Sequence, residues 1–392
     1  MEPPCGSGRT WSRAIKMTLC LFFLAPMSSV GIRNTNTTFS KKQKLEVRQQ
    51  LKRLNKPALK TIKSPDGDII DCVDIYKQPA FDHPLLKNHT IQMRPRSHPE
   101  GFSFDESNDI SSNSKSEITQ PWHFNGRCPE GTIPIRRTNE EDLLRANYGR
   151  KKHNTVPNVD DSSVLHEYAT LREQGDRYHG MNAEINVWNP QVQAAEFSLA
   201  QFWMEGVDNN GVFIDSIEAG AMSDAYQHTG CYNLMCPGFV QVDARLALGA
   251  SFTPYSEYAG VQKSVNFFVF KDDEGYWWLH LNNMYLIGYW PSSLFSVLSD
   301  SATSVSWGGE VVNVKFGGQH TITQMGSGHF AEEGPSRASF FRNLKVMDAH
   351  QLLRGPRDNQ RAVTHPTCYN FLKGEGDDFF YYGGPGRNID CP

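Results

Sequence analysis

After residue 27 the chain has no apolar run long enough to cross a bilayer, so no later segment is expected to anchor it. Its eight cysteines nowhere take the Cys-x-x-Cys spacing of a zinc site, and its 13 histidines are scattered without ligand spacing. No metal and no cofactor is expected. Nothing repeats at a fixed period, which disfavours propellers and solenoids. Beyond Val164 there is no helical periodicity of useful length, the stretch Leu294–Leu298 being ambiguous. Short strands between glycine and proline turns fill that half instead: Ala183–Trp188, Glu196–Met204, Phe239–Leu248, Ser264–Phe270, Tyr276–Leu281 and Tyr285–Trp290. Alternation is visible in Trp277-Trp278-Leu279-His280-Leu281, although the doubled tryptophan breaks a strict period of two. Many short strands with turn signals at this spacing mean an all-β domain, an antiparallel sandwich or a barrel.

The net charge of −4 conceals a division. Residues 1–164 hold 25 Lys and Arg against 18 Asp and Glu, and residues 165–392 hold 14 against 25, so the two parts carry +7 and −11. A basic front segment can cover an acidic domain as an inhibitory prosegment does, or the two regions can be solvated independently. At the N-terminus, Arg13 and Lys16 precede the apolar run Met17–Met27, with Ser28, Ser29 and Gly31 behind it. That is the arrangement of a secretory signal. The basic leader is long, so translation can begin at Met17, or the run can persist as an uncleaved anchor. Secretion is the expectation, and six cysteines remain once Cys5 and Cys20 leave with the leader. One of the connectivities open to six joins Cys231 to Cys236 across a short loop, Cys368 to Cys391 in the tail, and Cys72 to Cys128 in the front region. Sequons at Asn36 and Asn88 offer glycosylation sites to a secreted chain.

Three segments follow from these shifts of composition: a leader over 1–31, a small α+β prosegment over 32–160, and a β domain over 161–392. A basic amphipathic helix is expected from Ser40, with Leu45, Leu51 and Leu54 on its apolar side. Asp66-Gly67 is a hairpin signal, and Ile69–Val73 suits a strand. The stretch Gly101–Ser116, rich in Ser, Asn and Asp, reads as a linker. The polar stretch Arg150–Ser163, with Lys151-Lys152, is a candidate processing site.

Two carboxylates stand in contexts that a solvated surface charge would not need: Ile217-Glu218-Ala219-Gly220 and Trp307-Gly308-Gly309-Glu310-Val311. Glycine and apolar neighbours of this kind mark strands that approach another backbone closely. Brought together, two glutamates can activate water. One keeps a proton while its partner is charged; the charged one takes a proton from water, and the protonated one hydrogen-bonds the scissile carbonyl. Gln241, Gln324 or backbone N–H groups are candidate oxyanion donors, and Tyr289 and Trp290 can line a pocket or the core.

From His166 to Pro392 the chain resembles the neprosin family of plant secreted proteins. The phrases that carry the likeness include His166-Glu167-Tyr168-Ala169, Ile185-Asn186-Val187-Trp188, Ile217-Glu218-Ala219-Gly220, Gly230-Cys231-Tyr232-Asn233-Leu234, Gly288-Tyr289-Trp290-Pro291, Trp307-Gly308-Gly309-Glu310, Gln324-Met325-Gly326-Ser327-Gly328-His329-Phe330 and Tyr381-Tyr382-Gly383-Gly384-Pro385. The front region, with Asp71-Cys72-Val73-Asp74, looks like the family's activation peptide. The resemblance implies a β-sandwich glutamic endopeptidase, made as a zymogen, cleaving proline-containing proteins after proline in acid, in the apoplast, cell wall or vacuole. It implies Glu218 and Glu310 as the catalytic pair and the chain's own prosegment as inhibitor; the basic helix reads as a solvated face, and secretion leaves no nucleic-acid partner and no stable membrane attachment expected. Glu332 and Glu333 read as surface or structural carboxylates.

The likeness breaks after Gly220. Family members carry a further turn and strand there, whereas this chain has only Ala221-Met222-Ser223 before Asp224-Ala225-Tyr226-Gln227. Three residues span at most about 10 Å and cannot cross a sandwich and return. Either neighbouring strands close the gap, or the sheet keeps a raw edge beside Glu218. Two readings follow. The first is an active peptidase zymogen; the second is a catalytically impaired β-sandwich that binds a wall polymer or a secreted protein. A glycoside hydrolase using two carboxylates suits the chemistry but not the resemblance.

Overall fold

A computed structural model of the chain describes residues 18–24, 41–100, 118–140, 142–143, 165–193, 196–223, 231–232, 234–251, 253–314 and 318–392. In chain order its elements begin with β1 (Thr18–Leu24), α1 (Lys41–Leu54), β2 (Ala58–Lys63), β3 (Ile69–Asp74) and β4 (Thr132–Arg136). The back half holds β5 (Leu165–Asn186), β6 (Ser198–Val207), β7 (Phe213–Ser223), β8 (Cys231–Tyr232), β9 (Val240–Gln241), β10 (Ser264–Lys271), β11 (Tyr276–Leu281) and β12 (Tyr285–Pro291). After these come β13 (Ala302–Asn313), β14 (Ser339–Asp348), β15 (Leu353–Arg354), β16 (Gln360–Val363), β17 (Asn370–Lys373) and β18 (Phe380–Gly383). β2, β3 and β4 make a small antiparallel sheet, and the remaining strands form one continuous sheet folded into a sandwich.

The fold turns on β5. Its first half pairs with β13 on one side and β16 on the other, while its second half pairs with β10 and β14. One strand thus belongs to both layers. The first layer runs β7-β6-β13-β5 and the second continues β5-β10-β11-β12-β9. In the first layer the side chains alternate cleanly. Leu171, Phe202, Met204, Ile217, Ala219, Val305, Trp307 and Val311 all pass into the main core. Their neighbours Tyr168, Arg172, Gln201, Glu205, Glu218, Ser306 and Glu310 share the opposite face by register. A one-residue slip would exchange the two sets. At about 1.5–3 kcal/mol for each large apolar side chain moved into water, plus the burial of unpaired charge, the register is strongly specified.

In the second layer the doubled tryptophan finds its reason: β11 is covered on both faces, and Trp277 and Trp278 are both fully buried. Register places Phe268, Phe270, Trp278, His280 and Tyr289 on one face. The front region roofs that face. His89 Nε2 lies 2.7 Å from the Tyr289 hydroxyl, the Gln92 N–H donates to the same oxygen, and the His98 ring sits 6.1 Å from Phe270. Further bonds join Gln78 to Gln241 and Gln120 to the carbonyls of Ala247 and Ala250. Among the described residues these contacts are mostly neutral hydrogen bonds, with Arg96 and Glu274 at 4.0 Å as an exposed charged pair. The opposite charges of the two halves are therefore not the main adhesive of the described interface.

Several expectations are corrected. Leu45 of α1 is 57% exposed; Val47, Leu51 and Leu54 pack instead with Leu143 and Met235. Phe239–Leu248 is not a strand beyond Val240–Gln241, because Asp243 accepts from the backbone N–H groups of Arg245 and Leu246 and turns the chain. The ambiguous stretch Leu294–Leu298 is the last residue of a 3-10 turn, Ser292–Leu294, followed by a loop whose N–H groups at Ser296, Val297 and Leu298 are bound by Asp215. The edge beside Glu218 is not raw either. β1, drawn from the apolar run expected to be a leader, pairs in parallel with β7 from Thr18 opposite Ser216 to Leu24 opposite Met222. Cys72–Cys128 and Cys368–Cys391 are bonded as expected, and Cys236 is bonded too; the Cys231 side chain lies outside the described residues. Asn88 is exposed, while Asn36 and Lys151-Lys152 lie outside the described residues.

The roofed face has a consequence for acid. Burial pushes His89 below its ordinary value of 6.5, and burial with the nearby His98 charge pushes His280 down to about 3. Groups whose folded pKa is lowered stabilise the closed form fully above 6.5, and that stability is lost as pH falls below it. Lowering the pH from 7 to 4 should therefore speed proteolytic nicking of the front region. His89→Asn should blunt that acceleration, measured by timed digestion with an added protease active across this range.

Candidate active site

The outer face of the first layer carries an open groove of about 500 Å³, lined by Tyr168, Thr170, Arg172, Trp203, Glu205 and Ser306 and rimmed by Arg361–Thr364 of β16 and the residue after it. Its floor is built by alternation. Glu218 on β7 stands opposite Trp203 on β6, which stands opposite Ser306 on β13. Glu310 lies four residues further along β13, level with Leu199 of β6 and Tyr168 of β5. Between these levels is Gln201, flanked directly by Gly220 on β7 and Gly308 on β13. Glu218, Gln201 and Glu310 thus form a diagonal row across three strands. Diagonal neighbours of this kind lie about 7–8 Å apart at the backbone, within reach of long side chains.

The two glycines are what keep the row open. A Cβ on Gly220 would meet the Ala200 carbonyl oxygen at 2.2 Å and Gln201 Cα at 2.5 Å. One on Gly308, whose φ is +152°, would meet the Ala169 carbonyl oxygen at 2.2 Å. Both obstacles are backbone, so neither can swing aside.

Both carboxylates are withdrawn from water, Glu218 at 4% exposure and Glu310 at 3%. Their partners differ. The Gln201 amide donates to Glu218 Oε2 at 2.9 Å, and the Ser216 hydroxyl lies 2.9 Å from Oε1. Glu310 Oε1 takes His166 Nδ1 at 2.5 Å and the Tyr168 hydroxyl at 3.2 Å. Burial, then the charges of Glu310, Glu218 and Glu205, hold the Tyr168 phenol far above its ordinary range, so it remains a donor throughout the working pH range. Along the groove, Arg172 bonds Ser304 and Glu205, tying β5, β6 and β13 together.

The sequence named the two glutamates but not their companions. Gln201, Ser216, Tyr168 and His166 were legible only as the same-face neighbours that strand alternation supplies, once pairing is known. The amides proposed as oxyanion donors are engaged elsewhere: Gln241 donates to the carbonyls of Asp243 and Leu246, and Gln324 accepts from Gln191. Tyr289 and Trp290 are fully buried in the second layer, and the aromatic residues that line the groove are Tyr168 and Trp203. Glu332 and Glu333 hold Asn370 and His329 in place. Two groupings have metal-like proximity, His320 with Cys368 and Cys391, and Glu167 with His365 and Cys368. Disulfide-bonded sulfurs are not thiolates, and His320 is hydrogen-bonded to Glu167, so both belong to a structural network.

Comparison with known proteins follows this geometry. A family model described as Neprosin matches residues 221–385, and one described as Neprosin activation peptide matches residues 61–172. Glu310 lies within the first match and Glu218 three residues before it. A solved structure of Scytalido-glutamic peptidase with a peptide-based transition state analog is 9% identical, covering 57% of this chain and 99% of that one with a TM-score of 0.27.

Gly220→Ala should lower stability by about 1–3 kcal/mol, the usual cost of overpacking, read from the urea midpoint. Gln201→Glu should leave the fold intact but place a third carboxylate beside Glu218, with loss of any activity housed in the groove, measured against the folded protein's unchanged near-UV spectrum.

Proposed function

This chain belongs to the neprosin family, and from that premise we propose that it is a glutamic endopeptidase in which Glu218 and Glu310 hydrolyse proline-containing proteins in acid. With both the family's domain and its activation peptide present, the chain is a peptidase zymogen. The finer reading rests chiefly on one observation: two buried glutamates on one polar sheet face, on a diagonal through Gln201, with a groove lined by Tyr168, Trp203 and Ser306 of the same face beside them.

In this reading an extended peptide lies along the groove with its scissile carbonyl over the diagonal row. One glutamate takes a proton from water as the oxygen attacks; the other protonates the carbonyl oxygen. Collapse of the tetrahedral intermediate returns a proton to the leaving nitrogen. A pair that works singly protonated needs acid, since both groups ionise as the pH rises. Trp203, with the Tyr168 ring 6.5 Å away, offers a flat wall to a proline ring. The front region is read as the inhibitor of its own chain, but its described residues meet the second layer and none lines the groove, so direct blocking of the groove by them is not part of this reading. The protein is read as secreted to the apoplast, cell wall or vacuole with glycans at Asn36 and Asn88.

A catalytically impaired binding module is the second reading, favoured by one feature. Among the described residues, the strand paired with the outer edge of β7 at Glu218 is β1, from outside the domain. If that strand leaves with a cleaved leader, Glu218 stands on an edge strand.

Acidifying the purified protein should release the front region and start cleavage of a proline-containing peptide together. Glu310→Gln and Glu218→Gln should each reduce kcat by about 1000-fold or more, since an amide cannot exchange the required proton. A wild-type protein that sheds its front region yet cleaves no faster than either variant would establish the binding reading instead.

A further inference from the structure

Residues 41–63 hold seven lysines and two arginines against one acid, Glu46. Packing accounts for one side of this tract. Val47, Leu51 and Leu54 of α1 meet Leu143 and, across the joint with the β domain, Met235. Elsewhere on the helix Arg48 and Lys52 are both exposed, four residues apart and so one above the other. Like charges at that spacing repel and weaken a helix. The ion pairs described nearby engage Lys56 with Asp82, Arg136 with Asp68 and Asp142, and Arg137 with Asp71. Arg48, Lys52, Arg53 and Lys63 enter none of them.

Beside Lys52 the surface is concave. A groove of about 490 Å³ runs between the end of α1 and β2, and its polar lining is Lys52, Asn55, Lys56, Thr61, Asp71 and Arg137. The one acid among these, Asp71, is buried and already engaged: it accepts from Arg137 at 2.6 Å on each oxygen and from the Thr61 hydroxyl at 2.8 Å. Lys63 lies two residues beyond Thr61 on β2, so alternation carries the positive charge onward along the same side of the strand.

We propose that this groove, with the cations that continue from it along α1 and β2, is a docking site for a linear acidic polysaccharide, a polyuronate. Charge complementarity selects an anion, and the concave shape selects a chain: a polymer can lie in the groove, whereas a flat bilayer would touch only its rims. No aromatic ring lines it on which nucleic-acid bases could stack. Carboxylates spaced along a sugar chain need no such ring and meet the unpaired Arg48, Lys52 and Lys63. The site belongs to the front region, while residues 165–392 carry 14 basic residues against 25 acidic ones. The front region thus tethers the whole chain to the polymer. Cutting the connection leaves the tether behind and frees a domain that the same polymer repels.

The test uses full-length protein and immobilised polygalacturonate near neutral pH, and it reads binding without turnover. Retention should fall steeply as salt is added. Arg48→Glu with Lys52→Glu should weaken binding by about 10-fold or more, and Arg48→Gln with Lys52→Gln, which keeps good helix formers, by about 3-fold. Arg337→Glu with Lys345→Glu, on exposed positions of the β domain, changes the net charge equally and should leave binding within about 2-fold. Equal loss in the two reversed pairs means that net charge alone is responsible and overturns the site. So does a wild-type protein that ignores the polymer, or that binds its fully methyl-esterified form as well. Tighter binding to a single-stranded oligonucleotide, or to vesicles of equal parts phosphatidylserine and phosphatidylcholine, overturns the polysaccharide in favour of that partner. A protein that binds polygalacturonate in this pattern but cleaves no peptide supports the tether while it overturns the two-glutamate reading.

Discussion

A single 22-residue strand, Leu165–Asn186, is hydrogen-bonded into both layers of the sandwich, and the groove inherits its order from that strand's register. Because β5 is shared, sliding its first half would also drag Met181, Ala183 and Ile185 out of the second layer's core. Tyr168 and His166 are therefore held in line by burial far from the site. Burying those side chains is worth several kcal/mol in all, against about 1 kcal/mol for any one hydrogen bond in the groove. The core sets the alignment, and the hydrogen bonds refine it.

Within that frame the two glutamates are alike in type, burial and face, and sit beside different strands. Strand order does the sorting. Glu310 lies beside β5, whose same-face residues near it are a histidine and a tyrosine, while Glu218 lies beside β6 and meets a glutamine. The far side of β7 is paired with β1, a strand from outside the domain. Glu310 thus lies between two strands of the domain, whereas the strand of Glu218 has a domain strand on one side only, with β1 and then β8 beyond it.

Much of the fold was legible in the residues. The strands β10, β11 and β12 lie within a residue of where alternation and turn signals put them, since each is a short run bounded by glycine, asparagine or aspartate. Phe239–Leu248 misled because its apolar residues are buried in a loop, where Asp243 supplies the bonds a sheet would have given. Of the site, the two glutamates were readable through their glycine-flanked phrases. Gln201, Tyr168 and His166 were not, because what distinguishes them is which strand lies beside which. That order joins residues more than 100 positions apart in the case of β5 and β13, and no local pattern encodes it.

The described front region sits on the outer face of the second layer, across the core from the groove, and this makes it a third layer of the molecule. Phe270 and Tyr289, on one face with Phe268 and Trp278, meet His89, Gln92 and His98 there, as they would meet a partner subunit. Its disulfide, Cys72–Cys128, closes wholly within that layer and does not rivet it to the rest. Once the connecting chain is cut, the two pieces are in effect a heterodimer whose dissociation wets an aromatic sheet. Maturation is then governed by concentration and dwell time as well as by peptide-bond cleavage: in a dilute compartment the layers part for good, and in a crowded one they find each other again.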